Sequence, residues 1–75
     1  MIRYAIVRGR RDDSDVLAAY LPRNYVIVGT VTGTDGGTDG IVIAGQDNAG
    51  WTFDDYVAPR LATGGFYATE LKETA

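Results

Sequence analysis

The amino-acid sequence predicts a compact two-layer α+β domain: a mixed sheet of three or four strands, packed on one face by two helices. Three observations lead there. Short β-branched runs alternate with stretches of helical spacing in the order β-α-β-β-α, with room for a final strand. The stretch from Gly40 to Gly65 holds a strand, a polar connection and a capped helix in consecutive residues. At 75 residues the chain has the length of one domain, and no repeat or linker divides it.

Ile2 to Val7 reads as the first strand, with Ile2, Tyr4 and Ile6 on one face and Arg3, Ala5 and Val7 on the other. The polar stretch Arg8-Gly9-Arg10-Arg11-Asp12-Asp13 leads into a short helix capped by Asp13 or Ser14. Val16, Leu17, Tyr20 and Leu21 give that helix its apolar face, and Pro22 stops it. Asn24 to Thr32 is the second strand, Tyr25, Ile27, Gly29 and Val31 alternating with Val26, Val28 and Thr30. Strand, helix, strand implies a right-handed crossover joining two parallel strands.

Gly33 to Gly40 is rich in turn formers and reads as a hairpin connection. Ile41 to Ala44, bounded by Gly40 and Gly45, is a run too short for a helix and reads as a strand buried on both faces. After the polar loop Gln46 to Gly50, Thr52 is placed as an N-cap, with Asp55 three residues on and Asp54 adding charge to the first turn. Trp51 and Tyr56 have the spacing of a hydrophobic staple. Phe53, Tyr56, Val57 and Leu61 form the helical stripe. Pro59 predicts a kink or a break into two short turns, and Gly64 or Gly65 the helix end. Phe66 to Leu71 offers a last short strand whose partner the sequence leaves open, and residues 72–75 are expected to fray.

Composition narrows the chemistry. With no cysteine and no histidine, the usual thiolate and imidazole metal sites and the common neutral-pH general base have no residues to build them. Ser14 is the only serine, so ordinary nucleophilic catalysis has little material, and the reading is of a protein that is not an enzyme, with no cofactor and no metal. Asp54 and Asp55 form a carboxylate pair, but a first helical turn explains both. The Gly33–Gly40 loop lacks the Gly-Lys-Ser/Thr ending of a phosphate loop and the spacing of a calcium loop. No apolar run is long enough to cross a bilayer or serve as a signal peptide, which gives the expectation of a cytoplasmic protein without membrane association.

Net charge is −3 and unevenly spread: +2 over the first 34 residues and −5 over the rest. A nucleic-acid binder of this size is usually basic, so nucleic acid is a disfavoured partner. Arg8, Arg10 and Arg11 read either as a loop neutralised by Asp12, Asp13 and Asp15 or as a grip on phosphate or an acidic partner. Eight aromatic residues in so short a chain cannot all be buried, which brings Trp51, Tyr56 and Tyr67 forward as partner-binding candidates beside the three arginines. Two short helices cover one sheet face, so dimerisation through the second face or an edge strand is expected.

The segment IAGQDNAGWTFDDYVAPRLATG, with the opening MIRYAIVRGRRDD and the following AAYLPRNYVIVG, resembles small proteins of unknown function encoded by actinobacteriophages, those of mycobacteria among them. The likeness covers most of the chain and brings no functional residues with it. It implies expression in a bacterial host's cytoplasm and a dispensable or host-modulating role, and with the surplus of aromatic residues it leads to the first reading, a protein that binds and modulates a host protein. The alternatives are a nucleic-acid accessory, using the basic loop or acting as an acidic mimic, and a self-assembling structural component.

Overall fold

The computed structural model describes residues 2–9 and 14–74. Its elements are β1 (Ile2–Gly9), α1 (Ser14–Ala18), β2 (Tyr25–Thr32), β3 (Thr38–Gly45), a wide helical turn (Phe53–Val57) running into α2 (Ala58–Thr63), and β4 (Phe66–Thr74). The strands form one sheet in the order β2-β3-β1-β4. Every pairing is antiparallel, so the sheet is not the mixed one expected.

The reason lies in β3. The turn after β2 is closed by Gly33 N–H donating to the Gly37 carbonyl at 2.6 Å and by Gly37 N–H donating to Asp35 Oδ1 at 2.9 Å, with Gly36 at φ +84°. That turn folds β3 back on β2. The other edge of β3, its most apolar stretch, then takes β1, from Arg3 opposite Gly45 to Val7 opposite Ile41. β1 and β2 do run in the same direction, since both are antiparallel to β3, but β3 lies between them. This is the split β-α-β connectivity of ferredoxin-like sheets. β4 takes the outer edge of β1 and reaches further than expected, for Lys72, Glu73 and Thr74 pair with Tyr4, Arg3 and Ile2 in place of a frayed tail.

Alternation along the strands sorts the side chains into two sets. One set, with Ala5, Val7, Tyr25, Ile41, Ile43 and Phe66, meets Leu17 of α1 and Phe53, Val57 and Leu61 of the second helical segment in a single core. Both helices therefore lie over the same face. Burying side chains such as Leu17 and Leu61 stabilises by about 1.5–3 kcal/mol each, which makes this layer the main source of stability. The putdown of β3 against β2 also needs Gly45, where a Cβ would stand 2.0 Å from the Asn24 carbonyl oxygen and 2.7 Å from the Tyr25 ring.

Pro59 breaks the second helical segment in two. Val57 N–H reaches back five residues to the Thr52 carbonyl at 3.1 Å, and Ala58 N–H reaches the Phe53 carbonyl. An α-helical bond at Pro59 is impossible because the residue has no N–H, and a wide turn ahead of it absorbs the mismatch. Thr52 Oγ1 accepts from Asp55 N–H at 3.2 Å, and the Trp51 and Tyr56 rings stack 5.4 Å apart at 5°. Cap and staple together fix the entry of the chain into this segment. The α1 cap expected at Asp13 lies outside the described residues.

Candidate functional site

Among the described residues, none forms a layer over the second set of strand side chains. Across the sheet these are Val26 and Val28 of β2, Val42 and Ala44 of β3, Ile2, Tyr4 and Ile6 of β1, and Tyr67 and Thr69 of β4. Val26 is 56% exposed, Val28 54%, Ile2 37% and Tyr67 61%. Ala44, at the middle of the set, is buried beneath its neighbours. Ile6 lies flat over Gly40, where a Cβ would come within 2.7 Å of its Cγ2.

A register shift in β2 shapes this face. Ile27 stands opposite Ile43 and Gly29 opposite Val42, so Val28 is the extra residue of a bulge. Bulges increase local twist and re-aim a side chain. Between β2 and the middle of the sheet lies a groove of about 600 Å³, its floor made by Ile2, Tyr4, Val26, Val28 and Ala44. One end is polar and carries Arg23, Asn24, Gln46 and Asn48. Asn24 holds that end in shape, its Nδ2 donating to the carbonyls of Gln46 at 2.7 Å and Trp51 at 3.0 Å. An apolar floor with a few polar groups at one end can bury an aliphatic or aromatic side chain while a polar rim orients it.

A polar cluster closes the covered face at the same end of the sheet. Asp47 Oδ1 accepts from the Tyr25 hydroxyl at 2.7 Å and from Phe53 N–H at 2.9 Å, and Oδ2 accepts from Arg3 Nη1. The Arg3 guanidinium lies 5.5 Å from the centre of the Phe53 ring, and the Tyr25 and Phe53 rings are 6.0 Å apart. Burial works to raise the Asp47 pKa, but the hydrogen bonds from Tyr25, Arg3 and the Phe53 amide, with the Arg3 charge, outweigh it and hold the carboxyl below its usual value. One carboxylate thus ties β1, β2 and the 46–52 connection to the start of the second helical segment. All its contacts are internal, which makes it a structural lock.

The residues expected to bind a partner fall in three places. Arg8 belongs to β1 rather than to a loop, and it pairs with Asp39 on the neighbouring β3: Nε donates to the Asp39 carbonyl at 3.0 Å and Nη2 lies 3.7 Å from Oδ2. It stands opposite Tyr67 in the sheet register, so these two share the open face at the end away from the groove. Trp51 and Tyr56 stack on each other beside the helical segment and do not join them. Arg10 and Arg11 lie outside the described residues. The groove residues Ile2, Tyr4 and Arg23 and the Arg3–Asp47 lock were not among the expected site residues.

Among the described residues, no group of three or more His, Cys, Asp or Glu is placed to hold a metal ion, and no helix is long and apolar enough to cross a membrane. Compared with known proteins, the chain matches no family model, no curated protein and no solved structure.

Proposed function

We propose that this protein is a non-enzymatic binding module whose open sheet face receives a protein partner, the class of partner being a cytoplasmic protein of a bacterial host. The observation that carries the reading is the groove over Ile2, Tyr4, Val26, Val28 and Ala44, an apolar floor left uncovered in a domain whose core and helices lie on the other face. Exposed contiguous apolar surface on a small soluble domain marks a contact surface more often than a structural accident. The absence of histidine and cysteine from the sequence weighs against catalysis. The resemblance to actinobacteriophage proteins supports a host protein as the partner.

The test is affinity capture from an actinobacterial lysate with four baits: the unmodified chain, Ile2→Lys and Val26→Lys on the groove, and Arg60→Ala in the exposed part of α2. One host protein recovered in stoichiometric amount by the unmodified chain and by Arg60→Ala, and lost from both groove variants, is the expected result. Equal recovery by all four baits would move the contact away from this face.

A second reading has one specific observation behind it. Tyr4 on the central strand, and Tyr67 opposite Arg8, place two rings and a guanidinium on an open four-stranded sheet, an arrangement on which single-stranded bases can stack. β3 supplies Val42 and Ala44 where a second central ring would be needed, and the net charge is −3, so this reading ranks below the first. Tyrosine fluorescence titrated with a short oligonucleotide at low salt checks it, and a flat titration removes it.

A further inference from the structure

The tetrapeptide Gly-Thr-Asp-Gly occurs twice in this chain, at residues 33–36 and again at residues 37–40. In each copy an aspartate precedes a glycine, and a glycine nitrogen reaches the neighbouring side-chain carboxyl with no side chain of its own to hinder it. The fold puts the two copies in opposite settings.

In the first copy, residues 34–37 are all exposed at the tip of the hairpin joining β2 and β3. Gly36 has φ +84°, and the space where a Cβ would stand is empty. The Asp35 carboxylate folds back over the turn, Oδ1 accepting from Gly37 N–H at 2.9 Å, which closes a ring of atoms that includes the Gly36 nitrogen. One bond opposes attack by that nitrogen, Gly36 N–H to the Gly33 carbonyl at 3.1 Å, and a bond in an exposed turn opens at little cost.

In the second copy, Asp39 is the extra residue of a bulge in β3, between Thr38 opposite Thr32 and Gly40 opposite Val31. Arg8 holds it at two points, with Nε on its carbonyl at 3.0 Å and Nη2 3.7 Å from Oδ2. Gly40 is buried, its Cβ position 2.7 Å from Ile6 Cγ2 and 3.5 Å from the Val7 carbonyl oxygen. Turning the Gly40 nitrogen onto the Asp39 carboxyl therefore requires β3 to part from its neighbours.

We infer that Asp35 is a site of spontaneous backbone modification, converting to isoaspartate in the folded chain, while the sheet protects Asp39. The Gly36 nitrogen bonds to Asp35 Cγ and gives up its proton, and a Cγ–O bond breaks with loss of water. Water then opens the cyclic imide. When it breaks the bond from the nitrogen to the α-carbonyl carbon, the chain runs on through Cβ and Cγ and the α-carboxylate becomes the side group. The water lost is the water regained, so the mass is unchanged and no other reactant is needed. The product is a turn longer by one methylene, with an exposed α-carboxylate of the kind that isoaspartate-directed methyltransferases esterify. The longer turn no longer suits the Gly33 N–H to Gly37 carbonyl bond, so fraying is expected where Thr32 meets Thr38. The groove lies toward the other end of β2, and this inference does not depend on what binds the open face.

The repeated tetrapeptide supplies the control. The unmodified chain is kept warm near neutral pH, folded in one sample and in concentrated urea in another, and mapped over time with a protease that cuts before aspartate but not before isoaspartate. In the folded chain, isoaspartate is expected to accumulate at Asp35 about tenfold faster than at Asp39, or more, since the second site must wait for local opening of the strand. In urea the two sites should react at comparable rates, each with the same tetrapeptide around it. The aged folded chain should also take a labelled methyl group from S-adenosylmethionine, through an isoaspartate-directed methyltransferase, on the Asp35 peptide alone. Equal rates at the two sites in the folded chain overturn the inference, and so does an Asp35 as slow as Asp39, since the turn then protects its own aspartate. A gap that persists in urea also overturns it, by assigning the difference to the following residues Gly37 and Ile41 rather than to the fold. Label on both peptides, or on neither, does the same.

Discussion

Val57 and Val28 are the same residue in two settings. Val57, in the helical layer, is turned into the core with no exposure, while Val28 stands on the open face with more than half its surface in water. The sheet between them has apolar side chains on both sides, and only one side is used to hold the fold together. Stability rests on one face of the sheet and the proposed contact surface lies on the other, so a substitution that reports on one should be nearly silent on the other.

The sharpest form of the comparison is one substitution made twice. Val57→Ala removes two methylene equivalents from the packed core and leaves a cavity, for an expected loss of about 3 kcal/mol. In a domain of this length that lowers the melting temperature by roughly 12 °C or more. Val28→Ala removes the same atoms from water-exposed surface and should stay within about 0.5 kcal/mol. Thermal melts of the two variants check this. Equal losses would mean that Val28 is buried in solution, as it would be in a tight dimer.

How much of this division was legible in the sequence depends on the distance over which each signal acts. Local signals read well: Thr52 as cap, Trp51 and Tyr56 as staple, Pro59 as a break, and Leu17 and Phe53 as core residues all follow from neighbours within a few positions. Pairing between distant strands did not. The insertion of β3 between β1 and β2 rests on Ile6 meeting Val42 and Ala5 meeting Ile43, contacts that alternation alone does not choose among. The open face was legible as surplus apolar residues on Val26 and Val28, but not its groove, because the groove depends on a bulge that appears only once Ile27 and Gly29 have found their partners. The Arg3–Asp47 contact spans 44 residues and left no local mark at all. An aspartate in a polar loop looks like solvent-facing punctuation until the strand ends converge on it.

The covered face has a polar corner as well as an apolar middle, and breaking that corner is the next test. Asp47→Ala leaves the Tyr25 hydroxyl, the Phe53 amide and the Arg3 guanidinium without their acceptor in a part-buried site. Losing one partner of such a set costs more than the set contributes, because the groups left behind stay desolvated. A loss of about 2 kcal/mol is expected, measured by urea unfolding with an unchanged slope. Ile2→Lys at the same end of the sheet, on the open side, should not approach it.

The smallest effect is the pH dependence of this corner, and its sign is fixed by the direction of the Asp47 shift. The carboxyl is held below its ordinary value of 3.8 in the folded chain, chiefly because the bonds from Tyr25, Arg3 and Phe53 outweigh the opposing effect of burial. Its unfolded counterpart therefore takes up a proton first as the solution is acidified. Protonation of the unfolded state pulls the equilibrium toward unfolding, so the contribution of Asp47 is complete above pH 3.8 and fades as pH falls through the folded-state value. Asp47→Asn has no such proton to gain. The gap in melting temperature between the unmodified chain and Asp47→Asn should therefore be widest near neutral pH and narrow in acid. A gap that stayed constant from neutral pH down to about pH 2 would show that the carboxylate's charge contributes nothing to the corner, leaving shape and neutral hydrogen bonding as its only role.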